Sequence, residues 1–210
     1  SPRPPAEPRA LSAGPTPQLH PAQNRGLREC YAFTRQLVAH WSKLAARAGA
    51  GDATEALEAG VVDGRKLLEE LTELTAGYGL YGFPAAQGVG TRIAGARNLV
   101  ADRALERNQA LRMAVLDAQH LTTLLAYLAA LGQSGDDETM SAFCTRWERR
   151  LARRASALRR AVVAEGADPD RAVDRIDPGP AGRVGHGLAN AVGTAGEWFD
   201  RRAAQRRGTD

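Results

Sequence analysis

The chain has 210 residues, 43% of them hydrophobic but only 5% aromatic, and carries a formal charge of +4 with a pI near 9.5. That length suits one domain with a tail, and a core starved of aromatic and β-branched residues has to be built from Ala and Leu, which favours helix over sheet. The basic surplus is nearly all arginine and is thinner than nucleic-acid binders usually carry; a GC-rich bacterial genome produces the same Arg and Ala richness.

Residues 1–24 hold seven of the eleven prolines. Each fixes φ and lacks an amide donor, so a disordered proline-rich tail is expected there, ahead of a helical bundle domain over 25–207. The first helix is predicted over 26–48, where Leu27, Tyr31, Thr34, Val38, Trp41 and Ala45 recur at helical spacing. Gly49-Ala50-Gly51 ends it, and Asp52 with Glu55 offers a capping-box start for a second helix over 53–76. Leu57, Val61, Gly64, Leu68 and Leu71 share one face of that helix. Its charges are strongly acidic, seven carboxylates against Arg65 and Lys66.

The segment Gly77-Tyr78-Gly79-Leu80-Tyr81-Gly82-Phe83-Pro84 cannot continue a helix. A third helix is expected to begin after Pro84 and reach Leu131, with a break near Gly95 or Asn98. Its half from Leu111 onward is apolar nearly all round and reads as the central core helix. Asp136 or Asp137 caps a fourth helix, 137–165, with Met140, Phe143, Trp147, Leu151, Leu158 and Val162 as its buried stripe. A short helical turn is expected at 170–176. A last, glycine-diluted helix over 181–205 has Val184, Leu188, Val192, Ala195 and Phe199 on one side. The fold expected is an all-α up-down bundle of four to five helices with short loops.

Chemistry-bearing patterns are sparse. The sequence has no phosphate-loop, zinc-hydrolase, nucleophile-elbow or paired-cysteine motif, so no catalytic residue, metal or cofactor is expected. Cys30 and Cys144 match no metal or redox spacing and fall on apolar stripes. The two 18-residue stretches free of charge, 74–91 and 118–135, contain too much Gly, Pro, Gln, His and Thr to read as membrane spans. The first twenty residues have no apolar signal core, so a cytoplasmic location is expected.

The clearest charge feature is a run on the fourth helix: Arg146, Arg149, Arg150, Arg153, Arg154, Arg159 and Arg160, opposed only by Glu148. Three readings compete. These arginines form a surface for an acidic protein, nucleic acid or anionic membrane, or they are the solvated basic face normal for an amphipathic helix, or the acidic second helix lies beside them and uses the charge internally. Tyr78, Tyr81 and Phe83 form the one aromatic loop, either an adhesive patch or a plug for the bundle end. A second basic cluster, Arg201, Arg202, Arg206 and Arg207, follows Trp198-Phe199. His120 shares a stripe with Met113, Leu116 and Leu124 and has Asp117 one turn before it, with His40 able to approach across a bundle.

The leading expectation is a non-enzymatic binding or scaffolding module, contacting a protein partner or itself through Arg146, Arg149, Arg150, Arg153, Arg154 and Arg160 together with Tyr78, Tyr81 and Phe83. The competing expectations are a nucleic-acid or anionic-membrane binder using the same arginines, and a small-molecule enzyme with a pocket around His40, Asp117 and His120.

Overall fold

A computed structural model describes residues 19–80 and 105–176. Four long helices carry the fold: α1 (Pro21–Ala48), α2 (Asp52–Gly77), α3 (Arg107–Ser134) and α4 (Glu138–Ala164). A 3-10 turn, Glu165–Ala167, and the five-residue α5 (Pro169–Val173) close the described chain. There is no strand among the described residues, only an isolated antiparallel bridge between Glu106 and Arg175. The all-α bundle is therefore as expected. Residues 1–18 of the expected tail, the glycine-aromatic loop beyond Leu80, the start of the third predicted helix and the last predicted helix lie outside the described residues. Residues 21–24, expected in the tail, are instead helical, and the long helix expected between Pro84 and Leu131 starts, within the described residues, at Arg107 after an N-cap at Glu106.

The helix ends follow capping chemistry. α1 starts five residues earlier than predicted because Pro21 sits at its first position and Gln23 Oε1 accepts the His20 amide at 2.8 Å. Gly49 (φ 71°) and Gly51 (φ 145°) make the turn to α2. Gly51, not Asp52, occupies the cap, so Asp52 lies inside the first turn of α2, where its charge suits the helix dipole. Asp137 caps α4 as expected, its Oδ1 accepting from the Met140 amide at 2.9 Å.

The packing places α1 against α2 and α3, and α4 against α3 and α2. Every neighbouring pair is antiparallel. Thus Trp41 meets Gly60, the His20–Gln23 end of α1 lies near Gly135, and Asp63 and Glu70 of α2 face Arg154 and Trp147 of α4. The two hairpins, α1–α2 and α3–α4, have three-residue turns, the short loops the sequence implies. The second hairpin is docked so that α3 runs parallel to α2 on the diagonal. Residues 81–104 consequently join opposite ends of the bundle: the foot, where α2 ends near Asp137, and the head, where α3 begins near Ala48.

Leu27, Leu37, Leu44, Leu57, Leu67, Leu71, Leu111, Leu121, Leu125 and Leu128 are fully buried between these cylinders, with Trp41 and Trp147 filling the wide layers. Each such leucine contributes about 2–5 kcal/mol against truncation to Ala. Two glycines permit close approach. A Cβ at Gly60 would fall 2.1 Å from the Trp41 ring, and one at Gly132 would fall 2.8 Å from the Ser141 backbone nitrogen.

Helix α3 is not the enclosed central helix its composition suggests. It occupies a corner, burying Ala114, Ala118, Leu121, Leu125 and Leu128 while Met113, Leu116 and Tyr127 face outward. Its mean hydropathy of 1.3 over a membrane-length window makes it the one described helix apolar enough to cross a bilayer by composition. Its buried face is packed against α1 and α4 as a member of the bundle.

Candidate functional site

Helix α4 presents its arginines on two sides, and the structure separates them. The inner set meets α2. Asp63 is only 1% exposed, and its two oxygens accept from Arg150 Nη2 at 2.5 Å and Arg154 Nε at 2.7 Å. One helical repeat along α2, Glu70 Oε2 accepts from Trp147 Nε1 at 2.9 Å and pairs with Arg146 Nη2 at 2.8 Å. Arg150 also lies 5.2 Å from the Trp147 ring centre, a cation–π distance. The spacing of Asp63 and Glu70 by seven residues, and of Arg146, Arg150 and Arg154 by four, puts both sets on facing seams of an antiparallel pair.

These contacts shift the acids. Burial raises the Asp63 carboxyl, but two arginine hydrogen bonds and their charges outweigh it, and the group ends below its ordinary range. Glu70 behaves alike, with burial opposed by the Trp147 and Arg146 hydrogen bonds and the Arg146 charge.

The outer set remains. Arg149, Arg153, Arg159 and Arg160 are exposed and make no ion pair or hydrogen bond among the described residues. Arg149, Arg153 and Arg160 share one outward ridge of α4, with exposed Ser156 between them and Val163 beyond. Of the expected contact arginines, then, Arg146, Arg150 and Arg154 are engaged by α2, while Arg149, Arg153 and Arg160 stand free on the outside. The reading in which the acidic second helix uses the charge internally holds for the inner face of α4, and the outer face is exposed.

Tyr78 is half-buried, and its hydroxyl donates to Asp137 Oδ2 at 2.6 Å, tying the foot of α2 to the α4 cap. Burial first, and then the Asp137 carboxylate, push its phenol pKa up. It serves as part of the bundle end. Tyr81, Phe83 and the cluster Arg201, Arg202, Arg206 and Arg207 lie outside the described residues. A cleft of about 700 Å³ opens beside Tyr78, lined by Leu19, Leu74 and the acids Glu73, Asp136 and Glu138.

The histidine pocket is not assembled as a unit. His40 is buried and its Nδ1 meets the Asp117 carboxylate, a direct tie between α1 and α3. His120 is not the buried stripe residue expected of it. It is 46% exposed on the outer side, 3.5 Å from Glu29 and packed on Phe33 with ring centres 4.1 Å apart. Helical geometry explains the split: three residues from Asp117, His120 is rotated to the exposed outer edge of the α1–α3 seam, where it meets Glu29 and Phe33. No group of three His, Cys, Asp or Glu side chains that could hold a metal occurs among the described residues. Cys30 and Cys144 are free and buried, and burial raises both thiols, Cys144 to about 12.

Local sequence gave no sign of one polar anchor. Arg107 is buried at the head of α3, where Nε and Nη2 donate to the two Glu165 oxygens at 2.7 and 2.8 Å and Nη1 donates to the Ala48 carbonyl. Three helix ends are joined through one guanidinium, a geometry to which its planar fork is suited. The partners are 58 and 59 positions away, so no spacing rule could reveal them.

No protein family, curated protein or solved structure matches this chain, so its reading rests on the residues themselves.

Proposed function

We propose that this chain is a non-enzymatic binding module that takes an acidic protein partner on the outer ridge of α4. The observation that carries this reading is the division of the arginines: Arg149, Arg153, Arg159 and Arg160 stand exposed, with no ion pair among the described residues, on a helix whose other side already binds carboxylates. Along the axis, Arg149, Arg153 and Arg160 step by roughly 6 and 10 Å. An acidic helix with carboxylates four and seven residues apart matches that spacing, as Asp63 and Glu70 match it on the inner side. Guanidinium forks favour carboxylates held in such planar pairs. Four arginines are few for a polyanion, whose binding normally draws on a larger basic surface.

The test uses a labelled, glutamate-rich amphipathic peptide, duplex DNA and anionic phosphatidylserine vesicles as probes. The full chain should bind the peptide, and R149E/R153E/R160E should weaken that binding by about tenfold or more, about 1.4 kcal/mol. Equal binding by wild type and variant discards the reading. Tighter binding to DNA or vesicles than to the peptide replaces it with the polyanion alternative.

A further inference from the structure

Exposed positions on α2 and α4 are spaced alike. On α2 they are Glu58, Val62, Arg65 and Glu69, and on α4 they are Arg149, Arg153, Ser156 and Arg160. Both strips advance by 4, 3 and 4 residues, steps that hold them to one side of an α-helix. Glu58, Arg65 and Glu69 make no ion pair among the described residues, and neither do the three arginines of α4. Val62 lies between the acids, 62% exposed. Both strips point away from the bundle, whose α2–α4 seam is filled by Asp63, Glu70 and the inner arginines, so they cannot meet within one chain.

Laid side by side in the same chain direction, the strips are complementary at every level. Glu58 falls beside Arg149 and Glu69 beside Arg160. The apolar stem of Arg153 covers Val62. Arg65, the cation of the α2 strip, falls beside Ser156, the one position of the α4 strip that has no charge. Lys66, the next cation along α2, falls opposite Ala157. Running the strips in opposite directions also pairs the acids, Glu58 with Arg160 and Glu69 with Arg149, but it sets Arg65 near Arg153, and like charges in contact repel. The charge pattern therefore selects the parallel alignment. Further toward the start of α2, Glu55 comes level with Arg146, which already serves Glu70 of its own chain; the contact is centred on the four positions beyond it.

We propose, on the reading of α4 given above, that its acidic partner is a second copy of this chain, which seats the outer strip of its α2 on the arginine ridge, parallel to α4. The two strips are different surfaces, so the contact is heterologous. A dimer still offers a free α2 strip on one copy and a free α4 strip on the other, and assembly continues past it. Exposed ion pairs are individually weak, so the association depends on concentration and on salt.

The test uses the full chain. In sedimentation velocity at low ionic strength its mass should rise with concentration beyond that of a dimer, and added salt should reverse the rise. E58R/E69R and R149E/R160E should each weaken self-association by about tenfold or more, with helicity unchanged. Combined in one chain, the two reversals restore opposite charges at both levels, and assembly should return. The alignment is checked by Ser156→Glu, which faces Arg65 and should tighten the contact, against Ser156→Arg, which should loosen it; equal behaviour of the two overturns the parallel alignment. A chain that binds the glutamate-rich peptide yet stays monomeric at every concentration overturns the proposal and leaves the reading of α4 standing, whereas a chain that binds neither removes both. Self-association that survives either reversal, or that the combined swap fails to restore, belongs to another surface and also overturns it.

Discussion

Asp63 and Arg154 sit on different helices, 91 residues apart in sequence, and are joined by a 2.7 Å hydrogen bond whose carboxylate end is 1% exposed while its guanidinium end is 40% exposed. With Arg150 on the other oxygen, the carboxylate depends on the arginines more than they depend on it. Removing Asp63 lets both arginines turn to water. Removing both arginines leaves a buried anion.

The asymmetry can be measured by urea unfolding. Asp63→Ala should cost roughly 1–3 kcal/mol, at the lower end because solvent screens the arginine side. The double variant R150A/R154A should cost about 3–5 kcal/mol, since an uncompensated buried charge remains. Equal costs for the two variants would show that Asp63 is better hydrated than its geometry implies.

Acid should weaken the protein through the same groups. Asp63, Glu70 and Glu165 all have folded-state pKa values held below their ordinary ones, the last chiefly by the Arg107 hydrogen bond. The unfolded chain therefore takes up protons first as pH falls. The stabilisation is complete above about pH 4–5, where the unfolded carboxyls are ionised, and is lost as pH falls through the lowered folded values. A thermal midpoint followed from pH 6 to pH 2 should drop over the acid end, and more shallowly for Asp63→Asn. Parallel curves for variant and wild type would contradict this.

The α1–α2 crossing depends on the absence of a side chain at Gly60. Gly60→Ala gains about 1 kcal/mol of helix propensity but drives a methyl into the fully buried Trp41 ring. Overpacking of this kind costs about 1–3 kcal/mol, so the net effect should be a lower melting temperature with a shift in Trp fluorescence. Gly166→Ala, with nothing near its added methyl, should leave both unchanged.

The two histidine–carboxylate contacts should separate cleanly. His120→Ala lies on an exposed edge and should change stability by less than about 0.5 kcal/mol. Asp117→Ala removes the partner of buried His40 and should cost about 1–3 kcal/mol. A larger loss for His120→Ala than for Asp117→Ala in chemical denaturation would reverse the assignment of the seam.

Periodicity alone located α2, α4 and the C-terminal end of α1 to within a residue, but not the starts of α1 and α3. Leu27, Trp41, Leu57, Leu71, Trp147, Leu151 and Leu158 recur at three and four, and a helix that buries one stripe can be read from its own sequence. The Asp137 cap and the glycine turn after α1 were legible for the same reason, being interactions among neighbours in the chain. Composition misled at α3, because an all-round apolar helix in a corner of the bundle has the same local pattern as one at its centre.

What the chain could not state in advance was which helix faces which. The partition of the arginines into a set bound by Asp63 and Glu70 and a set left outside follows from α2 lying beside α4, with α3 on the diagonal. So do the isolation of His120 from His40 and the gathering of Ala48, Arg107 and Glu165. Side-chain spacing along one helix is fixed by its 3.6-residue turn, whereas the neighbour a face meets is settled only when all the apolar stripes are buried together.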